Sequence, residues 1–375
     1  MMKIMSPPLL WLLLFAVLAL GSFFMLLSVV PLFASETGSG MVGAGLTTGA
    51  MMLSTVITEL FTAQLFTRFG QRKVIAVGVL LLSLPTLLLL VSSALPMILG
   101  VSILRGAGLA IMVVAGTALA AAIGSGNRQG EVVGIYGVAS AVPVVVALPL
   151  GLWLVDQFGF ATAFIVAVAL GVASLVAVPF LRAHPSESVH STNPIALLRT
   201  RAIVRPTIVF TATTLALGVA ATFLPLATET LLGLATVALL VQGVATMVAR
   251  WLAGRLSDRY GSRRFLVPSM VLAAAGIAVL FFTDSPAAII TGMAAFGLGL
   301  GAVQNLSLTL MLENTHAGDF ARVSVLWNIA FDAGMGIGSV AFGYLAITTG
   351  YPWGFVILAV IMVLTIVPSR PRVRG

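Results

Sequence analysis

Apolar runs of about twenty residues follow one another along almost the whole chain, with only short polar connections between them. A helix of that length crosses the ~30 Å hydrocarbon layer of a bilayer. Twelve such spans can be placed, at 9–32, 42–66, 74–91, 96–123, 131–154, 160–181, 205–228, 234–254, 265–283, 286–312, 322–346 and 351–368. With 60% hydrophobic and 8% charged residues, the chain has too little polar surface to enclose a water-soluble core. Inside lipid every backbone N–H and C=O needs an internal partner, which leaves helices or closed barrels. Continuous apolar runs lack the alternation of a barrel strand. The expected fold class is therefore an all-α membrane protein of about twelve transmembrane helices. The first run is longer than the ~7–15 apolar residues of a secretory signal and is retained as a span.

Charge placement orients these spans. Of 19 Lys and Arg, all but Arg105 and Arg250 fall in segments that one alternating topology puts on a single side, from Lys3 to Arg374. The opposite side holds only acids, Glu36, Asp156, Glu229 and Asp284. Because basic loops stay in the cytoplasm, both termini are expected inside and the protein in the cytoplasmic membrane. The net charge of +8 is spread over these loops and follows topology, which argues against nucleic acid as a partner. Cysteine is absent, and His184, His190 and His316 lie in loops without metal-ligand spacing. No Gly-Lys-Ser/Thr segment cradles a phosphate. Neither metal, cofactor nor enzyme chemistry is expected, and no obligate protein partner is evident. The expected partners are the lipid bilayer, a small-molecule substrate and protons.

The stretch from Arg182 is the longest hydrophilic one and divides the chain into 1–181, a cytoplasmic linker 182–204, and 205–375. The two flanking parts resemble each other at an offset of about 191 residues, an internal repeat of two six-helix bundles. Thr67-Arg68-Phe69-Gly70-Gln71-Arg72-Lys73 matches Asp258-Arg259-Tyr260-Gly261-Ser262-Arg263-Arg264, each after the second helix of its half. Tyr136 maps onto Trp327, and Pro31-Leu32 maps at a slightly larger offset onto Pro225-Leu226.

Gly254-Arg255-Leu256-Ser257-Asp258-Arg259-Tyr260-Gly261-Ser262-Arg263-Arg264 resembles the loop signature of the major facilitator superfamily. The resemblance covers essentially the whole chain. In the first half, Ala63 and Thr67 stand where the motif usually has Gly and Asp. Ala147-Leu148-Pro149-Leu150-Gly151 is similar to the Gly-Pro-rich motif of the antiporter branch, which assigns Pro149 and Gly151 to it. The family implies secondary transport of small organic solutes by alternating access. Proton-coupled export is the expectation, with symport or facilitated uptake and a transporter-like sensor as alternatives.

Ionisable residues inside a span cost at least ~2.5–3.5 kcal/mol on insertion scales, so they usually face a cavity or a partner. Four qualify: Glu59, Arg105, Arg250 and Asp332. Asp332 lies about ten residues into its span, ~15 Å deep and close to the midplane. It is the expected proton-coupling carboxyl, with Arg105 as a possible partner. Glu59 and Arg250 occupy equivalent repeat positions and, with Gly254, Asp258, Arg259 and Gly261, are expected to act in gating. Asp258 beside a neighbouring helix N-terminus would latch one conformation. Asn305, Asn328, Gln304 and Gln242 supply neutral donors and acceptors for a substrate cavity, although amides at that depth also serve as helix-to-helix hydrogen bonds.

Overall fold

The computed structural model describes residues 6–123, 129–181, 194–228, 232–316 and 319–365. The chain divides into two compact units, Met1–Val189 and His190–Gly375. The first contains α1 (Pro7–Leu27, continued by Val29–Ala34), α2 (Gly40–Phe69) and α3 (Gln71–Ser83, extended by a 3-10 stretch Leu84–Leu90). It is completed by α4 (Leu95–Ile123), α5 (Gln129–Phe158) and α6 (Phe160–Ser174, extended by Leu175–Phe180). The second contains α7 (Arg201–Ala227), α8 (Leu232–Tyr260), α9 (Arg263–Val279) and α10 (Pro286–Glu313). Its last helical stretch, Phe320–Leu364, is broken at Gly350, whose φ of +70° an L side chain rarely adopts. The pieces on either side are α11 (320–349) and α12 (351–364). Non-helical backbone at Thr37 and Gly38 separates α1 from α2 in the same way.

Nine stretches among the described residues are long and apolar enough to cross a membrane. Two of these, Pro7–Phe69 and Arg322–Leu364, each contain one of the breaks, and α9 adds a further 17-residue helix. The architecture is thus the all-helical, multi-span one expected. Outward faces are apolar, as Leu53, Ile57, Leu60 and Phe61 on α2 illustrate at helical spacing. Each unit buries its own aromatic core, with Phe15 and Phe164 in the first and Phe210, Phe223, Phe296 and Phe355 in the second.

The repeat seen in the sequence is reproduced contact by contact at the offset of 191. In the first unit a Cβ on Gly106 of α4 would strike the Met51 carbonyl of α2; in the second, one on Gly297 of α10 would strike the Gln242 carbonyl of α8. Thr55 Oγ1 donates to Met51 O at 2.9 Å and reaches Gly106 O at 3.1 Å. Its counterpart Thr246 donates to Gln242 O at 2.8 Å and reaches Gly297 O at 3.2 Å. Gly108 likewise abuts Leu82, and Gly299 abuts Ala273. Without a hydrophobic force between helices in lipid, such close backbone approach over small residues is what holds a bundle together.

The two threonines differ in one respect. Thr246 also accepts a 2.9 Å hydrogen bond from the Gln242 amide, for which the Met51 position has no equivalent. Thr55→Val should therefore cost about 1 kcal/mol, and Thr246→Val about 2 because it also strands a buried amide donor. Thermal unfolding in detergent would check the order; equal shifts would count against it.

The candidate transport site

In the first unit, Arg105 sits ten residues into α4, ~15 Å from Leu95. It is 1% exposed, the largest side chain in the fully buried core. Its Nε donates to Leu82 O on α3 at 3.3 Å, and its buried Nη2 has no hydrogen-bond partner. Arg322 and Asp319 form an ion pair at 2.6 Å, and among the described residues none is formed by Arg105 or by Asp332.

Asp332 is 8% exposed and lies twelve residues along α11 from Phe320, ~18 Å. Asn328 precedes it by four residues, one helical turn, and is half-buried. Trp327 and Phe331, also one turn apart, stack with Phe210 of α7 at centroid distances of 4.5 Å from Phe210 to Trp327 and 6.2 Å from Trp327 to Phe331. The Trp327 indole donates to Ser307 Oγ of α10 at 3.2 Å. The repeat holds here too, because a Cβ on Gly116 of α4 would meet the Tyr136 hydroxyl. The aromatic stack was missed in the sequence, although the spacing of Trp327 and Phe331 contains half of it.

The four amides divide. Gln242 is buried and donates its NH2 to Thr246, one turn along the same helix, and it is Thr246 that reaches across to Gly297 O. A Cβ built on Gly254 of α8 would stand 3.6 Å from Asn305 Nδ2, which places Asn305 over the loop-signature glycine. Asn305 Oδ1 and Gln304 Oε1 are both buried without a hydrogen-bond partner, and both remain acceptors in want of a donor.

Glu59 and Arg250 share a repeat position but not an environment. Glu59 is 8% exposed within its bundle, whereas the Arg250 side chain emerges from α8. At the loops, α2 and α8 stop at Gly70 and Gly261, with φ of +84° and +83°. Positive φ at a helix end favours glycine, and each amide closes back on the helix, to Phe66 O and Ser257 O. Arg68 lies over Phe69 at 5.3 Å and Arg259 over Tyr260 at 5.2 Å, a matched pair of cation–π contacts. Ser262 donates to Glu313 of α10 at 3.0 Å, fastening this loop to its own unit. Asp258 belongs to the last turn of α8, but its side chain lies outside the described residues. Pro149 lies within α5, and a Cβ on Gly151 would strike the Met25 carbonyl of α1, so this motif seats α5 against α1.

The model of the Major Facilitator Superfamily matches residues 12–318 and 227–374. The chain belongs to that family. It is 25% identical to a chloramphenicol resistance protein of Streptomyces lividans over 96% of both chains. It is also 25% identical to a synaptic vesicular amine transporter of Homo sapiens, over 82% of this chain and 62% of that one. The solved nucleoside transporter NupG shares the fold, with a TM-score of 0.76 at 11% identity, covering 98% of this chain and 100% of that one. Family and fold make the protein a multi-pass membrane transporter of small molecules and not an enzyme.

Proposed function

We propose that the protein exports small organic solutes in exchange for protons, with Asp332 as the proton-carrying group and both termini in the cytoplasm. The observation that carries this reading is a carboxyl buried near mid-helix with no ion-pair partner among the described residues. In hydrocarbon such a group is costly when charged, and a proton or a cation relieves that cost. The repeat sharpens the assignment. At an offset of 191, Asp332 aligns with Ala141, Asn328 with Gly137, and Gln304 and Asn305 with Val113 and Val114. Packing is common to both units, but these polar groups are not, which is the pattern expected of residues kept for solute and proton.

The unpartnered acceptors on Gln304 and Asn305 suit a solute that donates hydrogen bonds, and the Phe210, Trp327 and Phe331 rings suit one with an apolar or aromatic body. The names of the two relatives, a chloramphenicol resistance protein and an amine transporter, support an amphenicol or an aromatic amine as first compounds to try. Cells producing the protein should accumulate less of at least one such compound than cells without it, and a protonophore should erase the difference. Equal accumulation across the panel, with equal membrane levels verified, would refute export; a difference that survives the protonophore would refute proton coupling.

A further inference from the structure

One end of the second unit gathers five arginines, Arg199, Arg201, Arg205, Arg263 and Arg264. α7 starts at Arg201 and α9 at Arg263, and the two helices touch. Their starts are close enough that the charges of Arg205 and Arg263 repel each other. Neither guanidinium forms an ion pair among the described residues, and Arg205 Nε has no hydrogen-bond partner. The helices α7 and α9 and the short stretch Pro194–Arg199 contain no Asp or Glu. Two acids on neighbouring elements are already engaged, since Glu313 accepts from Ser262 at 3.0 Å and Asp319 pairs with Arg322. Apolar side chains border the cations. Ile208 is exposed one turn beyond Arg205 on α7. Leu197 packs against the buried core that includes Ile203 and Val323, while Ile195 and Leu198, one 3-10 turn apart, stay exposed.

We propose that the starts of α7 and α9 form a binding site for an anionic phospholipid, whose phosphate sits between Arg205 and Arg263 and whose acyl chains lie over Ile208. Two like charges held together without an acid repel, and a phosphate between them removes that cost while accepting several charge-assisted hydrogen bonds. The place fits a lipid better than a soluble anion. α7 enters the membrane directly beyond these arginines, which puts them at headgroup level, and the exposed Ile208 and Leu198 offer the chains an apolar surface. A zwitterionic lipid would bring its own cation to a site that already holds two. The site also departs from the repeat. At an offset of 191, Arg201 and Arg205 align with Leu10 and Leu14, and Arg263 aligns with Arg72, whose Nε donates to Leu181 O at 2.9 Å. The first unit therefore lacks the arginine pair, and a basic loop common to both units does not account for it.

The test titrates phosphatidylglycerol or phosphatidylcholine into the purified, full-length protein in detergent at constant ionic strength and follows the melting midpoint by tryptophan fluorescence. Phosphatidylglycerol should raise the midpoint saturably, and phosphatidylcholine should fall well short of it at the same mole fraction. Arg205→Gln combined with Arg263→Gln should weaken the apparent phosphatidylglycerol affinity about thirtyfold, the joint effect of two lost phosphate contacts. Arg68→Gln combined with Lys73→Gln removes the same charge from the matching loop of the first unit and should leave that affinity unchanged. Equal losses in the two double variants would reduce the effect to bulk charge and overturn the site, as would equal stabilisation by the two lipids. Inorganic phosphate reproducing the rise by itself would overturn the lipid as occupant. Should the Arg205 and Arg263 double variant not fold, Arg263→Gln decides, because that side chain is exposed, and an unchanged affinity counts against the proposal. The readout needs no transport, so the site stands or falls apart from the export reading.

Discussion

Asp332→Asn should leave the protein folded in the membrane and stop it from working uphill. Asparagine matches aspartate in volume and keeps one carbonyl-like acceptor, so the helix packing around α11 has no steric reason to change. What it loses is the ability to alternate between charged and neutral forms. In proteoliposomes, solute movement driven by a proton gradient should fall at least about tenfold, equivalent to ~1.4 kcal/mol at the coupled step. Exchange of solute for solute, which needs no net proton movement, should stay within about twofold of wild type. The split between these two assays is the diagnostic quantity. Equal loss in both would make Asp332 a solute ligand or a packing residue; unchanged gradient-driven transport would remove it from coupling altogether.

The sequence was most legible where the physics is one-dimensional. Apolar run length fixed the spans to within a few residues; the expected 96–123 and 286–312, for example, compare with Leu95–Ile123 and Pro286–Glu313. The 191-residue repeat was legible from two loops and one aromatic position, and the structure extends it to the fastenings at Thr55 and Thr246. Side-chain direction was not legible. Gln242 reads as a cavity amide, and the sequence gives no sign that its N–H donates to Thr246 one turn away. Glu59 and Arg250 read as equivalent because the repeat aligns their backbones, yet one side chain turns into its bundle and the other out of it. Such differences depend on which neighbouring helix covers a face, and helical spacing alone carries no record of that.

Gly106→Leu and Gly297→Leu should each prevent the protein from reaching its folded state, and for one shared reason. A Cβ at Gly106 would overlap the Met51 carbonyl, and a Cβ at Gly297 would overlap the Gln242 carbonyl and stand 2.9 Å from Ala245 Cβ. Backbone cannot swing aside as a flexible side chain does, so the helices themselves must part. Parting α2 from α4 also breaks the 3.1 Å bond from Thr55 to Gly106 O, and parting α8 from α10 breaks the 3.2 Å bond from Thr246 to Gly297 O. Overpacking of this kind costs about 3 kcal/mol or more, a large fraction of the stability of a typical domain. Gly100 supplies the control, since it lies on the same helix as Gly106 and a Cβ there meets nothing within 4 Å. In detergent chromatography Gly100→Leu should give the wild-type monodisperse peak, while Gly106→Leu and Gly297→Leu aggregate or fail to accumulate. A bundle that tolerates all three alike would mean that these glycines are not contact points, and that the repeat is fastened by something other than close backbone approach.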